Sequence, residues 1–489
     1  MEKFFWADAI AERIIKSRDK KKKYTCAAGI GVSGTLHIGN FRDAITTDLV
    51  VKALEDKGVV ARFIYSWDNY DRFRKVPKNV PKTHERYLGI PVSEVPAPKG
   101  KGNYSDYFEK PFEGSLKKVG INPEFISQSE MNKKCKYAKL IKLAIDKRKE
   151  IIEILDKYRK EPLKEDWYPV TVYCEKCKKD STKVLGVEDY EIEYECECGF
   201  KSKFDFRKKG IVKLKWRTDW PARWLYEGVV FEPGGADISA AGGSYITGRE
   251  ISKQIFDYEA PIYQVYEWIK IKGGKEFSGS AGDALTVDDV LEVYEPEILR
   301  YLFVGTKPKS AFQISFDNDV IKIYDDYDAL EEKYYSDKAN AQEKRIYELS
   351  QVGEVAKKKP NKENFRHLIT LVQIGQAKGK RAENVKNWLE KYAGEDMKFE
   401  VQENVNVKLS KEEKEALIKL KEVLKKQNLT EKKLFNEFYG ICESVGIKNT
   451  EFFDAAYRVI IGKKKGPRLA SLILAVGKGK IVRLLEEVK

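Results

Sequence analysis

Residues 29–40, Gly-Ile-Gly-Val-Ser-Gly-Thr-Leu-His-Ile-Gly-Asn, put four glycines and one of only three histidines in the chain on a single short stretch. Glycines let a backbone come close to a ligand, and an imidazole beside a helix N-terminus suits phosphate oxygens. A merely tight strand-to-helix turn would need the glycines alone, with His37 incidental. The second cluster is Cys174-x2-Cys177 followed, after 18 residues, by Cys196-x-Cys198. Four thiolates complete a tetrahedral zinc shell with no position left for water, so a site here is structural. An iron-sulfur centre or free thiols are the alternatives. Cys26, Cys135 and Cys442 are isolated and read as core or surface residues, and His84 and His367 have no nearby partner in sequence.

The elements that must position these groups are legible in the pattern. Residues 24–30 are small and apolar, 29–34 form the turn, 40–56 have helical periodicity and 59–65 are β-branched and aromatic: a βαβ unit, hence a parallel sheet. Helical stretches fill residues 104–160. The Cys, Glu and Lys-rich segment 167–209 interrupts the pattern, which resumes with a strand at 228–231, a helix at 248–256 and a strand at 261–271. Beyond about residue 315 the segments 327–355, 364–377, 382–392, 411–427, 431–444 and 467–487 all read as helices, separated by basic connectors at Lys357-Lys358-Lys359-Pro360 and Lys463-Lys464-Lys465-Gly466-Pro467. The expected fold is α/β: a Rossmann-like parallel sheet split by a helical and zinc-ribbon insertion and followed by an all-α C-terminal domain. The expected divisions are 1–110, 111–210, 211–315 and 316–489.

A chain of 489 residues can bury several cores. With 91 Lys+Arg against 77 Asp+Glu the formal charge is +14 and the pI about 9.0, which points to an acidic partner such as a polynucleotide; a surface merely rich in Lys and Glu is the alternative. Mean hydropathy is −0.54 and no stretch approaches the roughly 18 uninterrupted apolar residues of a membrane span. Trp6, Ile10 and Ile14 recur at helical spacing, which reads as folded protein at the start of the chain. Seven cysteines in this pattern do not form a secreted disulfide framework, and a cytoplasmic location is expected.

Ser33-Gly34-Thr35-Leu36-His37-Ile38-Gly39-Asn40 resembles the HIGH signature of class I aminoacyl-tRNA synthetases, in the HIGN form of the archaeal-type class I lysyl enzymes. Gly274-Lys275-Glu276-Phe277-Ser278-Gly279-Ser280 resembles the KMSKS loop of that class. Trp67-Asp68-Asn69-Tyr70-Asp71-Arg72, Asp219-Trp220-Pro221-Ala222-Arg223-Trp224, Phe231-Glu232-Pro233-Gly234-Gly235 and Gly466-Pro467-Arg468 match as well, in the family's order along nearly the whole chain.

The resemblance implies ATP-dependent attachment of an amino acid, lysine first, to tRNA through an aminoacyl-adenylate. It implies that Ser33, Gly34, His37, Gly39 and Asn40 bind ATP with Mg²⁺, that Lys275, Ser278 and Ser280 clamp the departing pyrophosphate, and that His37, Asn40 and those three residues act in catalysis. It gives Gly29, Gly31, Trp220 and Tyr266 to the amino acid, with core packing the other role open to Trp220 and Tyr266, and Asp219 beside them. Asp68, Asp71 and Arg72 face the cleft or form a solvated turn. The helical domain would hold the anticodon arm, with Trp388, Tyr392, Phe435 or Phe438 able to stack on bases, although most of these aromatics sit at the helical spacing of core residues. A monomer is the expectation.

Three departures bear on specificity. Both signature lysines of KMSKS are replaced, by Glu276 and Gly279, Gly31-Val32 replaces a hydroxyl residue and proline, and Gly235-Ala236-Asp237-Ile238 replaces a G-K-D-H run. The alternatives are a class I synthetase for another amino acid, a tRNA-binding paralogue that activates nothing and, more distantly, a nucleotidyltransferase.

Overall fold

In the computed structural model the described residues are 5–18, 23–240, 242–273, 284–426 and 429–488. The chain forms two compact units. The first comprises residues 1–290, 296–314 and 336–355, and the second 291–295, 315–335 and 356–489.

The first unit is built on five parallel strands in the order Ile262–Tyr266, Val229–Gly235, Tyr24–Ile30, Ala61–Trp67, Glu124–Ser127. The first strand of the sequence therefore lies in the middle. The chain moves outward to one side, detours through the insertion, and returns to fill the other. The crevice at the carboxyl ends of such a sheet, where the strand order reverses, is where ligands bind in open α/β folds. Here it lies between Ile30 and Gly235.

The helix Ile38–Glu55 is buried almost all round, because the helix Trp6–Ser17 covers the side turned away from the sheet. Its buried polar residues are each held. Thr46 and Thr47 bond back to the carbonyls of Arg42 and Asp43, Arg42 reaches the carbonyls of Pro308 and Ser310, and Asp48 meets Arg300 at 2.7 Å.

The insertion carries short helices, a two-stranded pair (Val170–Val172 with Val212–Leu214) and a three-stranded antiparallel sheet formed by Thr182–Glu188, Glu191–Cys196 and Lys201–Asp205. It shares a core of Ile141, Ile151, Ile192, Tyr194 and Phe206 with the helix Ser244–Gln254. The second unit has a helical core around Leu420, Leu434, Phe452, Ile460, Ile473 and Leu485.

Three expected elements differ. The run 261–271 is two strands in two sheets: Ile262–Tyr266 pairs with Val229–Gly235, and Ile269–Ile271 with Phe312–Ile314. The run 327–355 is broken at Asp337, which takes φ 57°, and a new helix starts at the capping box of Asn340 and Glu343. Gly477 at φ 95° splits 467–487 in the same way. The helix Asn449–Ile461 was not expected, although its buried face of Phe452, Ala455, Ala456, Val459 and Ile460 keeps helical spacing.

Candidate active site

At the end of the central strand, His37 is the N-cap of Ile38–Glu55 in extended geometry. Its Nδ1 accepts the Gly39 N–H at 3.1 Å, and its own N–H donates to Asn40 Oδ1 at 2.9 Å. An accepting Nδ1 leaves the proton on Nε2, and burial lowers the ring's pKa from 6.5 to about 4. His37 is thus a neutral donor at neutral pH. Asn40 spends its carbonyl oxygen on the cap and keeps its amide to donate. Gly39 leaves the ring its place: a Cβ there would stand 2.8 Å from His37 Nδ1 and push the imidazole away. Gly34 takes φ 152°, a region that favours glycine, and Ser33 is exposed. The sequence-predicted turn residues therefore share one helix start, with N–H groups and a fixed imidazole.

The residues that the sequence assigns to the amino acid lie on the same strand ends. Gly29 is forced by the neighbouring strand, since a Cβ would come within 2.6 Å of the Ser66 carbonyl. Its N–H donates to Asp43 Oδ2 at 3.0 Å, and Tyr266 lies near enough to the same carboxylate for the two groups to shift one another's ionisation. Trp220 and Trp224 donate their indole N–H groups to the two oxygens of Glu232, at 3.0 and 2.5 Å. Both carboxyls are thus buried against neutral donors. Burial raises Asp43 to about 8 and Glu232 to about 7. Gly31 is different, because a Cβ there would meet only Asp68 Cβ at 4.0 Å, so this position can accept a side chain.

Beside these groups runs a buried charge network. Arg223 pairs with Asp68 at 2.6 Å and Asp219 at 3.4 Å, while Lys213 bonds Asp71 and lies 3.8 Å from Asp219. Asp68 and Asp71 are therefore pinned cleft residues and not a solvated turn, whereas half-exposed Arg72 pairs with Asp180 at 3.2 Å. Two groups here lack full hydrogen bonding: Arg223 Nε and Nη2, and Asp219 Oδ2, are buried without a hydrogen-bond partner. Trp220 is 5 % exposed and packs with Trp224, Ala27, Ile64 and Ile238. It is a core residue whose indole also reaches the Glu232 carboxylate, and Ile238 belongs to its apolar surround.

Lys275, Ser278 and Ser280 lie outside the described residues. Leu285, just beyond them, accepts the Ile38 N–H at 2.9 Å, which ties the returning chain to the start of the histidine-capped helix. Cys174, Cys177, Cys196 and Cys198 converge with every Sγ within 4.8 Å of the others, and the pairs 174–198 and 177–196 are 3.7 and 3.6 Å apart. Tetrahedral zinc with sulfurs at about 2.3 Å requires sulfurs about 3.8 Å apart, so the four residues fit such an ion.

Sequence reasoning did not single out Asp43, Glu232, Lys213 and Arg223, the buried charged groups gathered at this crevice. The signal was present in part, since Glu232 and Arg223 sit inside matched motifs. Asp43, one helical turn past Asn40, carried none.

In the second unit, Trp388 and Phe438 are buried, with Trp388 donating to the Phe316 carbonyl, whereas Phe435 and Tyr439 are 43 % and 47 % exposed. Tyr392 packs on Phe316. Gly466-Pro467-Arg468 borders a cavity of about 860 Å³ lined also by Arg366, His367 and Lys398. Lys463 caps the carbonyls of Glu395 and Lys398, while Lys464, Lys465 and Arg468 are exposed.

Residues 4–353 match the family described as tRNA synthetases class I (K), and residues 336–488 match an anticodon binding domain. The chain is 43% identical over 98% of each chain to the lysine--tRNA ligase of Borrelia garinii subsp. bavariensis and 41% identical, again over 98% of each, to that of Treponema pallidum. The lysine--tRNA ligase of Pyrococcus horikoshii is 37% identical over 98% of this chain and 99% of its own.

Proposed function

Because the chain belongs to the class I lysyl-tRNA synthetase family, we propose that it joins lysine to tRNA at the crevice capped by His37. The lysine carboxylate attacks the α-phosphorus of ATP, the bond to the bridging oxygen of pyrophosphate breaks, and the adenylate then yields its acyl group to the terminal ribose of tRNA. Such a displacement needs positioning and compensation of phosphate charge more than covalent help. His37 Nε2–H, the Asn40 amide and the helix N–H groups supply it, with Ser33, Gly34 and Gly39 forming the cradle. The ATP is taken with Mg²⁺, which offsets charge on the phosphates. Lys275, Ser278 and Ser280 act on the pyrophosphate from the chain segment that returns at Leu285.

The observation that carries the choice of lysine is the pair of buried carboxyls, Asp43 and Glu232, whose hydrogen bonds come from the neutral N–H groups of Gly29, Trp220 and Trp224, close to Gly31 and Tyr266. A cationic side chain completes that arrangement, and an anionic one is repelled. The four cysteines hold a structural zinc. The second unit takes the anticodon arm, and the enzyme works as a cytoplasmic monomer. A panel of all twenty amino acids, with and without tRNA, in pyrophosphate exchange and in tRNA charging tests the reading: lysine alone is expected to give both signals. Charging by another amino acid in place of lysine would overturn the specificity.

A further inference from the structure

At the start of the Trp216–Glu227 helix lies a pocket of about 430 Å³ that the proposed reaction does not use. Tyr158, Trp167 and Trp216 give it aromatic walls, and Arg159, Lys215 and Arg217 border it. No carboxylate is among its lining residues. Lys215 lies 4.8 Å over the Trp167 ring, and Arg217 donates to the Gly242 carbonyl and the Thr247 hydroxyl at 2.8 and 2.9 Å. Among the described residues neither cation has an acidic partner. Arg159 is set against Asp156 at 3.6 Å.

Three features ask for an anion attached to a flat ring. The helix starts at Lys215 without a side-chain cap, and Lys215, Trp216, Arg217 and Thr218 at that start all line the pocket. Thr218, which lines the pocket, has its hydroxyl buried without a hydrogen-bond partner. The two part-buried cations are lowered in pKa by burial, and Arg217 also by the charge of Arg159. A phosphate would relieve all of these, and the rings would stack a base. The pocket also adjoins the chemistry. Trp216 stacks on Trp220 at 5.2 Å and 13°, and Trp220 holds Glu232 in the crevice.

We propose that this pocket binds a nucleotide unit of the single-stranded 3′ end of tRNA, the base against Trp167 and the phosphate on Lys215 and the helix N-terminus. This deepens the charging reaction and rests on that reading. The terminal ribose must reach the adenylate, and a preceding nucleotide seated one indole away steers it there.

The test uses the full chain with a fluorescent RNA hexamer ending in CCA, with AMP, and with ATP. Trp167→Ala is expected to weaken the hexamer roughly 5- to 150-fold, the loss of one stacked base, with ATP affinity unchanged. Trp167→Phe should restore most of the affinity. Lys215→Gln should weaken the hexamer and flatten its log affinity against log salt by about 0.7, one single-strand phosphate. If AMP also weakens in Trp167→Ala, the pocket takes a free nucleotide as well, and the nucleotide chemistry stands. Hexamer binding equal in wild type and both variants, or absent from wild type, overturns the proposal. Charging of tRNA with lysine by the wild type is scored separately, so a failure of the reaction is told apart from a failure of the pocket.

Discussion

A missing side chain at position 39 lets His37 fold its ring back onto its own helix. Gly39→Ala should therefore act on the imidazole and not on the fold: alanine favours the helix by up to about 1 kcal/mol, and the displaced cap costs a similar amount. We expect a melting temperature close to wild type but a fall in adenylate formation like that of His37→Ala, roughly a hundred- to thousandfold, the loss of one transition-state donor. Wild-type exchange rates in Gly39→Ala would refute this. The carboxyls give a second expectation. Burial holds Asp43 and Glu232 partly protonated near neutrality, with values of about 8 and 7. A bound ammonium favours their charged forms, so lysine binding should release protons below about pH 8, and lysine affinity should rise with pH from 6 to 8 and then level off. Calorimetry in buffers of different ionisation enthalpy measures it, and a flat profile would count against both groups. His37 was legible because its type, rarity and glycine setting coincide. Asp43 was not, since one acid in a helix has the same look whether it faces solvent or a cleft.

At the scale of elements, the central strand and its helix were legible from small residues, a turn and a 3.6-residue period, and the structure places them within two residues of expectation. What periodicity could not show was where a run stops. Residues 261–271 stay apolar across a change of sheet, and a positive φ at Asp337 or Gly477 ends a helix that the pattern would continue. Because position 31 is open, Gly31→Ser should fold with unchanged stability and alter the KM for lysine while leaving that for ATP near wild type; a large stability loss would show the space is not there. The insertion's three-stranded sheet is small, and beyond its shared core its loops meet at the four clustered cysteines. One zinc per chain is expected by elemental analysis. Chelation should speed amide exchange across residues 170–205 and leave ATP affinity largely intact. Unchanged exchange on chelation would remove the metal from the account.

For the whole molecule, the excess of 14 positive charges predicts binding to tRNA that falls steeply with salt. Lys464 and Lys465 are exposed and Lys463 is committed to carbonyls, so Lys464→Ala with Lys465→Ala should lower the log–log slope by about 2, about one unit per contact, and Lys463→Ala should act chiefly on stability. An unaltered slope would move the tRNA backbone elsewhere. The basic balance was readable from composition, but which lysines are committed depends on carbonyls some 65 residues away in sequence. Strand order has a consequence for synthesis. Tyr24–Ile30 finds one neighbour early, in Ala61–Trp67, but its other neighbour, Val229–Gly235, leaves the ribosome about 200 residues later. At roughly 5–20 residues per second the nascent chain spends on the order of 10–40 s with a bare β-edge beside the HIGN turn. During that interval a half-made sheet is open to pairing with the wrong strand, so this protein's greatest exposure to aggregation falls during translation, before the sheet can close.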